Sequence, residues 1–133
     1  MPTGNANLTF VGRRTPGLEE AVVTVTSPAG EVTLEEWLEG CHGERLVISS
    51  PAGFEWGYGG AGPYDLAANM ILAATGSERL ARALAGRFRD EVVSRYDRRG
   101  FRAGALDVLR WVEGAVRAGF ATPARRVKLS VAR

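Results

Sequence analysis

Alternating apolar and polar positions predict β structure in the first fifty residues of the chain. Apolar side chains recur at every second position in short runs that Gly and Pro separate, which is typical of half-buried antiparallel strands. The turn Ser27-Pro28-Ala29-Gly30 joins two of these runs into a predicted hairpin. A single helical turn is predicted over 35–39, before Gly40. The predicted strands cover residues 8–13, 21–26, 31–35 and 45–49.

A helical period replaces this alternation after Pro63. Three helices are predicted, over residues 63–75, 78–98 and 104–118. The first is apolar on nearly all sides, so we expect it to be the buried central helix. The other two have apolar stripes, formed by Leu80, Leu84, Phe88, Val92 and Tyr96, and by Leu106, Leu109, Val112 and Val116. A last alternation predicts a strand over 126–131, so we expect one α+β domain over residues 1–133.

The segment SPAGFEWGYGGAGPYDLA, residues 50–67, combines aromatic rings with closely spaced glycines. Such glycine density implies positive φ angles or a close approach to the backbone. Three interpretations remain open. Phe54 and Trp56 can fill the core while the glycines let the loop fold back, or backbone N–H groups at the helix start can bind an anion such as phosphate. Alternatively, Trp56, Tyr58 and Tyr64 can form a recognition surface.

Residues 57–62 match the pattern G-x-G-x-x-G, but the context excludes a dinucleotide-binding fingerprint. Pro51 and the aromatic cluster separate the pattern from the predicted strand over 45–49, and a second helix, not a parallel strand, follows the first. No G-K-[ST] follows the glycines, which also excludes a P-loop.

The same segment resembles the signature SPTGFEWGYGGSGPxxLA of an uncharacterised family of small bacterial and phage-borne proteins. The run Val11-Gly12-Arg13-Arg14 resembles the "VGRR" of that family, and the helix over 78–96 is similar in placement to one that follows the signature. The chain departs from the signature at Ala52 and Ala61, where Thr and Ser are usual, and at Ser49, where His is frequent. The family is classed as a domain of unknown function, so the resemblance implies a shared fold and surface without an activity.

The charge of the chain is nearly balanced but unevenly distributed. The 133 residues include 17 Lys or Arg and 15 Asp or Glu, a net charge of +2. Residues 1–70 carry a net charge of −6 and residues 71–133 a net charge of +8. A predicted basic face comprises Arg87, Arg95, Arg98, Arg99 and Arg102. These guanidinium groups suit phosphates or an acidic protein surface, and the opposed halves suit head-to-tail association of two copies.

Composition excludes several classes of protein. A hydrophobic content of 45% with little net charge excludes disorder as the main state, and no apolar run approaches the roughly 20 residues of a membrane-spanning helix. The N-terminal residues lack the pattern of a secretory signal, so the bacterial cytoplasm is the expected location. Cys41 is the only cysteine, which excludes an intrachain disulfide. The absence of Gln fits a thermophilic source.

Catalytic chemistry has few candidates. The adjacent Cys41 and His42 suit a turn better than a nucleophile or metal site, and Glu55 with Asp65 would be the only acid–base carboxylate pair in the loop. We therefore predict no catalytic residue, metal or cofactor. The predicted binding loop comprises Phe54, Glu55, Trp56, Tyr58, Gly59, Gly60, Tyr64 and Asp65.

The preferred hypothesis is a non-enzymatic binding module of bacterial, phage or plasmid origin. It would contact a protein or nucleic acid through the loop over 54–64 and the Arg-rich helix. The alternative is a nucleotide- or phosphate-binding protein, or a small enzyme, that uses residues 57–62 at a helix N-terminus.

Overall fold

A computed structural model describes residues 6–122 of the chain. The part described contains one antiparallel sheet and four helices, which confirms the predicted α+β class. The strands are β1 (Thr9–Arg14), β2 (Ala21–Ser27), β3 (Gly30–Thr33) and β4 (Gly100–Gly104). The helices are α1 (Leu34–His42), α2 (Ala61–Thr75), α3 (Glu78–Glu91) and α4 (Ala105–Arg117), and a 3₁₀ turn spans Val93–Arg95. The predicted strand over 126–131 lies outside the described residues.

The strands follow the order β3-β2-β1-β4, and all neighbours are antiparallel. Because side chains alternate across a strand, Phe10 of β1 and its partner Val25 of β2 both face the core. Arg13 and Arg102 occupy the opposite face of the sheet and are exposed. The sheet therefore has one face in the core and one that carries charged side chains.

Helix α2 is the buried centre of the fold, as its apolar composition predicts. Met70 and Ile71 are fully buried within it, and the core cluster continues onto the sheet, α3 and α4. Gly76 ends α2 in the left-handed conformation and donates its N–H to the carbonyl of Leu72 at 2.7 Å. Ser77 then caps α3 by accepting a hydrogen bond from the N–H of Leu80.

The predicted helix over 78–98 is too long, because the structure places a strand close behind it. Helix α3 ends at Glu91, and β4 follows the 3₁₀ turn. In β4, Phe101 pairs with Gly12 of β1, and a Cβ on Gly12 would overlap the Phe101 ring. With Gly at both ends, this strand keeps only three residues, Phe101–Ala103, too few to show a period in the sequence.

The predicted strand over 45–49 is wrong. Within residues 6–122 this segment has no partner strand, and polar side chains of α2 take its backbone hydrogen bonds instead. The predicted helical turn over 35–39 belongs to a longer helix, α1. Thr33 and Glu36 form a reciprocal capping box at its start, which ends β3 at Thr33 and not at residue 35.

The predicted stripe of the last helix is also partly wrong. The buried side chains of α4 are Ala105, Val108, Val112 and Ala115. Leu106 is 44% exposed. The buried face of α4 is therefore rotated by about one residue from the predicted stripe of larger side chains.

Candidate functional site

A buried carboxylate fixes the segment that leads into the loop. Asp65 lies in the first turns of α2 and is fully buried. It accepts backbone hydrogen bonds from Ile48 at 3.1 Å, from Ser49 at 2.9 Å and from Ser50 at 3.0 Å. Asp65 belongs to the predicted binding loop, but its oxygens accept backbone hydrogen bonds inside the protein and do not reach the surface.

Two further side chains complete this anchor. Asn69, one turn after Asp65, accepts the N–H of Leu46 and donates to the Leu46 carbonyl, at 2.8 and 2.9 Å. The Arg45 guanidinium donates to the carbonyl of Pro51 at 3.2 Å and lies over the Phe54 ring. The anchor therefore joins α2 to both ends of the segment that precedes the aromatic loop.

Alternate residues of the loop point inward. Phe54 is 6% exposed and Trp56 is fully buried, so both contribute to the core. The Trp56 indole donates its Nε1–H to the carbonyl of Asp97 at 3.0 Å and packs edge-on against Phe101. The guanidinium of Arg14 covers the Trp56 ring at 4.3 Å from its centroid. Neither ring is available to a partner in this conformation.

Glu55 points outward and ties the loop to the end of β1. Both of its carboxylate oxygens accept from Nη1 of Arg14, at 2.8 and 3.0 Å. Nε of Arg14 also donates to the carbonyl of Arg98 at 2.9 Å. Because the Arg14 side chain is only 15% exposed, this network is partly shielded from water. Arg14 thus connects three segments that are distant in the sequence.

Gly57 turns the chain from the core to the surface. Its φ is +89°, a region that favours glycine, and its N–H donates to the carbonyl of Val93 at 3.1 Å. A Cβ at this position would lie 3.2 Å from the Cα of Arg98. The following side chain, Tyr58, is directed to solvent and is 40% exposed. Gly59 is exposed beside it.

Tyr58 and Arg98 form an exposed pair, which we call the Tyr58–Arg98 surface. The Arg98 guanidinium lies 5.4 Å from the centroid of the Tyr58 ring. The pair borders a depression of about 620 Å³, whose other lining residues are Arg14, Glu19, Glu55 and Arg99. A tyrosine next to an arginine provides an amphipathic ring and a cation at one place.

Ion pairing leaves one free cation in the lining of this depression. Arg99 donates to both carboxylate oxygens of Asp97, and these hydrogen bonds lower the pKa of Asp97 to about 2. Arg14 is paired with Glu55. All residues that line the depression are among those described. Arg98 is the only arginine among them that has no ion pair.

The structure distributes the five predicted basic residues over several places. Arg87 pairs with Glu91 on α3 and lies over the Phe120 ring, next to α4. Arg102 lies on the outer sheet face, and Arg95 is exposed at the end of the 3₁₀ turn. Only Arg98 and Arg99 line the Tyr58–Arg98 depression.

The start of α2 is covered by a side chain. Gly60 is the N-cap, and a Cβ on Gly62 would lie 2.8 Å from the Cβ of Glu55, so the Glu55 stem packs against the first turn. Pro63 contributes no N–H. Tyr64 is half-buried, and the guanidinium of Arg89 lies over its ring. The Glu55 side chain thus occupies space that an anion at the start of α2 would need.

The remaining predicted chemistry is dispersed. Cys41 and His42 are exposed near the end of α1. Across residues 6–122, no three His, Cys, Asp or Glu side chains are grouped so that they could hold a metal ion. Likewise, no helix within that range has the length and apolarity needed to cross a membrane.

The sequence does not predict that Arg14 bonds to the loop through Glu55, or that Arg98 lies beside Tyr58. Arg14 had a signal, since it ends the run Val11-Gly12-Arg13-Arg14, but that run shows nothing of the loop 41 residues later to which it bonds. The Tyr58–Arg98 contact has no sequence signal, because 40 residues separate its members.

Comparison with known proteins gives one match. The model of a family described as "Family of unknown function (DUF6166)" matches residues 10–114, so the chain belongs to that family. No curated protein and no solved structure matches the chain. The resemblance to a domain of unknown function is therefore confirmed, and the function has to be inferred from the site.

Proposed function

We propose that this member of the DUF6166 family is a non-enzymatic binding protein that contacts a partner protein through the Tyr58–Arg98 surface. The observation that carries the proposal is the exposed aromatic–cation pair, held next to a depression at the end of the sheet. Tyr and Arg are the side chains that most often dominate the affinity of protein interfaces.

The loop is held in place before any partner arrives. Trp56 is buried and hydrogen-bonded, Glu55 is bonded to Arg14, and the Gly57 N–H is bonded to the 3₁₀ turn. A preorganised contact surface loses less conformational entropy on binding than a loop that must first become ordered. This support is consistent with a binding role for Tyr58, whose ring is left outside the core.

Charge favours a protein partner over a nucleic acid. Arg98 is the one uncompensated cation in the lining of the depression, because Arg14 is paired with Glu55 and Arg99 with Asp97. A single free cation is too little charge for a continuous phosphate backbone. On α3, Arg82 and Arg87 are each paired with a glutamate four residues away. A partner with one acidic side chain beside an apolar one fits the Tyr58–Arg98 surface better than a phosphate chain.

The phosphate-binding alternative has less support. Gly57, Gly60 and Gly62 are approached by the protein's own atoms, and the Glu55 stem lies against the start of α2. We therefore do not assign an anion site to this loop.

Partner capture tests the proposal. Immobilised full-length chain is compared with Tyr58→Ala and Arg98→Ala for capture of proteins from a bacterial lysate, and the Kd of the captured protein is then measured. Each substitution should weaken binding at least tenfold, because each removes a central anchor. Arg95→Ala is the matched control, since Arg95 is exposed but does not line the depression.

Each variant should unfold at the same thermal midpoint as the wild type, which shows that a loss of binding is not a loss of the fold. Equal affinity of both variants and the control would refute the proposal. Capture of nucleic acid, with an affinity that falls steeply as salt rises, would replace the protein partner with a nucleic acid.

A further inference from the structure

One edge of β2 is left without a neighbour over three residues. The pairing of β2 with β3 runs only from Thr24 to Ser27, whereas its pairing with β1 continues to Ala21. The sheet neighbour on the β3 side therefore ends before Val23. The capping box at Thr33 causes this, since it starts α1 where β3 would otherwise continue.

The direction of the backbone groups follows from the hairpin. Ser27 and Gly30 flank a two-residue turn, so they form the hydrogen-bonded pair that closes it. Backbone groups of alternate residues point to the same side of an antiparallel strand, so Val25, Val23 and Ala21 share this direction with Ser27. Val25 meets β3 and Val23 is buried beside the start of α1, whereas Ala21 is half-buried and receives no backbone hydrogen bond from outside the sheet within residues 6–122.

A groove of about 760 Å³ lies against this edge, and we call it the β2-edge groove. It is bounded by β2, by the start of α1 and by the aromatic loop. Its apolar lining includes Ala21, Val23 and Phe54. The groove thus offers the unpaired N–H and carbonyl of Ala21 beside apolar side chains, the two features by which a sheet edge takes up an extended peptide.

The charged lining of the groove is entirely acidic. Glu20, Glu35 and Glu55 line it, and none of the lining residues, all of them in the described chain, is basic. Glu55 is neutralised by Arg14. Glu20 and Glu35 have no ion pair within the described residues, so two uncompensated carboxylates flank the open edge.

We propose that the β2-edge groove binds an extended cationic segment of a partner protein. The segment adds in extended form beside Ala21, and its Lys or Arg side chains meet Glu20 and Glu35. The two proposals differ in ligand charge, because the Tyr58–Arg98 surface seeks an acidic side chain and the groove a basic one. The groove proposal does not require the other to be correct.

Peptide titration tests this. The probe is a fluorescein-labelled peptide Gly-Val-Arg-Val-Lys-Val-Gly, titrated with the full chain and followed by fluorescence polarisation. The same peptide with Glu in place of Arg and Lys should not bind. Glu20→Gln and Glu35→Gln should each weaken binding of the cationic peptide by about fivefold, since each removes one attractive charge. Glu39→Gln is the matched control, because Glu39 is exposed on α1 outside the groove.

Backbone methylation separates strand addition from simple charge attraction. Methylation of the peptide nitrogens at one alternate set of residues should abolish binding, and methylation of the other set should leave it within twofold, because only one set faces β2. Equal affinities of the two methylated peptides would refute strand addition. Unchanged affinity in both Glu→Gln variants would refute the acidic recognition.

Two controls identify the occupant. A wild-type chain that dimerises, together with monomeric Glu20→Gln and Glu35→Gln variants, would place a second copy in the groove and overturn the partner assignment. Arg98→Ala should leave peptide affinity unchanged, and Glu20→Gln should leave capture by the Tyr58–Arg98 surface unchanged. Failure of one proposal is thus distinguishable from failure of the other.

Discussion

At the scale of single residues, the surroundings of an arginine decide what it can do. Arg14, Arg98 and Arg99 line the same depression. Arg14 is bonded to Glu55 and covers Trp56, and Arg99 is bonded to its near neighbour Asp97. Arg98 alone of the three has no carboxylate partner among the described residues, which is why the proposed function assigns ligand charge recognition to it.

The Asp97–Arg99 contact predicts a pKa change. Hydrogen bonds from Arg99 lower the pKa of Asp97 from 3.8 to about 2. Because the folded pKa is depressed, the stabilisation is present above the unfolded value and is lost as the pH falls through about 2. Arg99→Ala should therefore raise the pKa of Asp97 towards 3.8, as measured by NMR titration of its carboxyl carbon. Arg95→Ala should leave it unchanged, and an Asp97 that still titrates near 2 without Arg99 would contradict the assignment.

At the scale of elements, side chains of α2 take the place of a neighbouring strand for residues 45–49. The segment over 45–49 has the apolar run of a strand, but its N–H groups are bonded by Asp65 and Asn69 of α2. This arrangement fixes the beginning of the loop against the most buried helix of the fold. The loop is therefore held in position, with Tyr58 exposed, although the loop is not part of the sheet.

Removing the Asp65 charge tests this anchor. Asp65→Asn keeps the size but turns an NH₂ group towards the N–H donors of residues 48–50, so a buried hydrogen bond is lost. We expect the free energy of unfolding to fall by about 3 kcal/mol, measured by urea denaturation. Asp90→Asn, an exposed change on α3, should alter it by less than about 0.5 kcal/mol. Equal effects of the two substitutions on the free energy of unfolding would show that the Asp65 carboxylate does not stabilise the segment over 45–49.

At the scale of the whole molecule, the charge polarity of the sequence does not become two separate surfaces within residues 6–122. Arg14, from the acidic half, lies with Arg98 and Arg99 of the basic half in one depression. Several basic side chains of α3 and α4 also pair with acids of their own helix, as Arg87 does with Glu91 and Arg117 with Glu113. Head-to-tail association of copies remains a prediction, and so does a cytoplasmic location.

The continuous core predicts cooperative unfolding of a single domain. Ile71→Ala should lower the free energy of unfolding by about 2–5 kcal/mol, because it leaves a cavity at a fully buried position. Circular dichroism and tryptophan fluorescence should report the same transition. Leu106→Ala is the control, since Leu106 is 44% exposed, and it should cost less than about 1 kcal/mol. Two separate transitions would contradict a single domain.

Several features of the fold could be predicted from the sequence because local periodicity records which face is buried. The hairpin around 27–30, the buried helix that follows residue 60 and the helix that begins after Ser77 were all predicted in this way. The same principle explains the errors. A short apolar run over 45–49 fits a strand and a loop equally well, and β4 has too few apolar residues to show a period.

The sequence by itself determined the α+β class, the central position of α2 and the unusual loop that links sheet and helices. Only the tertiary structure decided which loop residues reach the surface, which arginine of the depression has no carboxylate partner among residues 6–122, and where β2 lacks a neighbouring strand. The physical reason is separation along the chain. A period reflects contacts within one element, whereas the bond between Arg14 and Glu55 and the β2-edge groove arise from segments that only folding brings together.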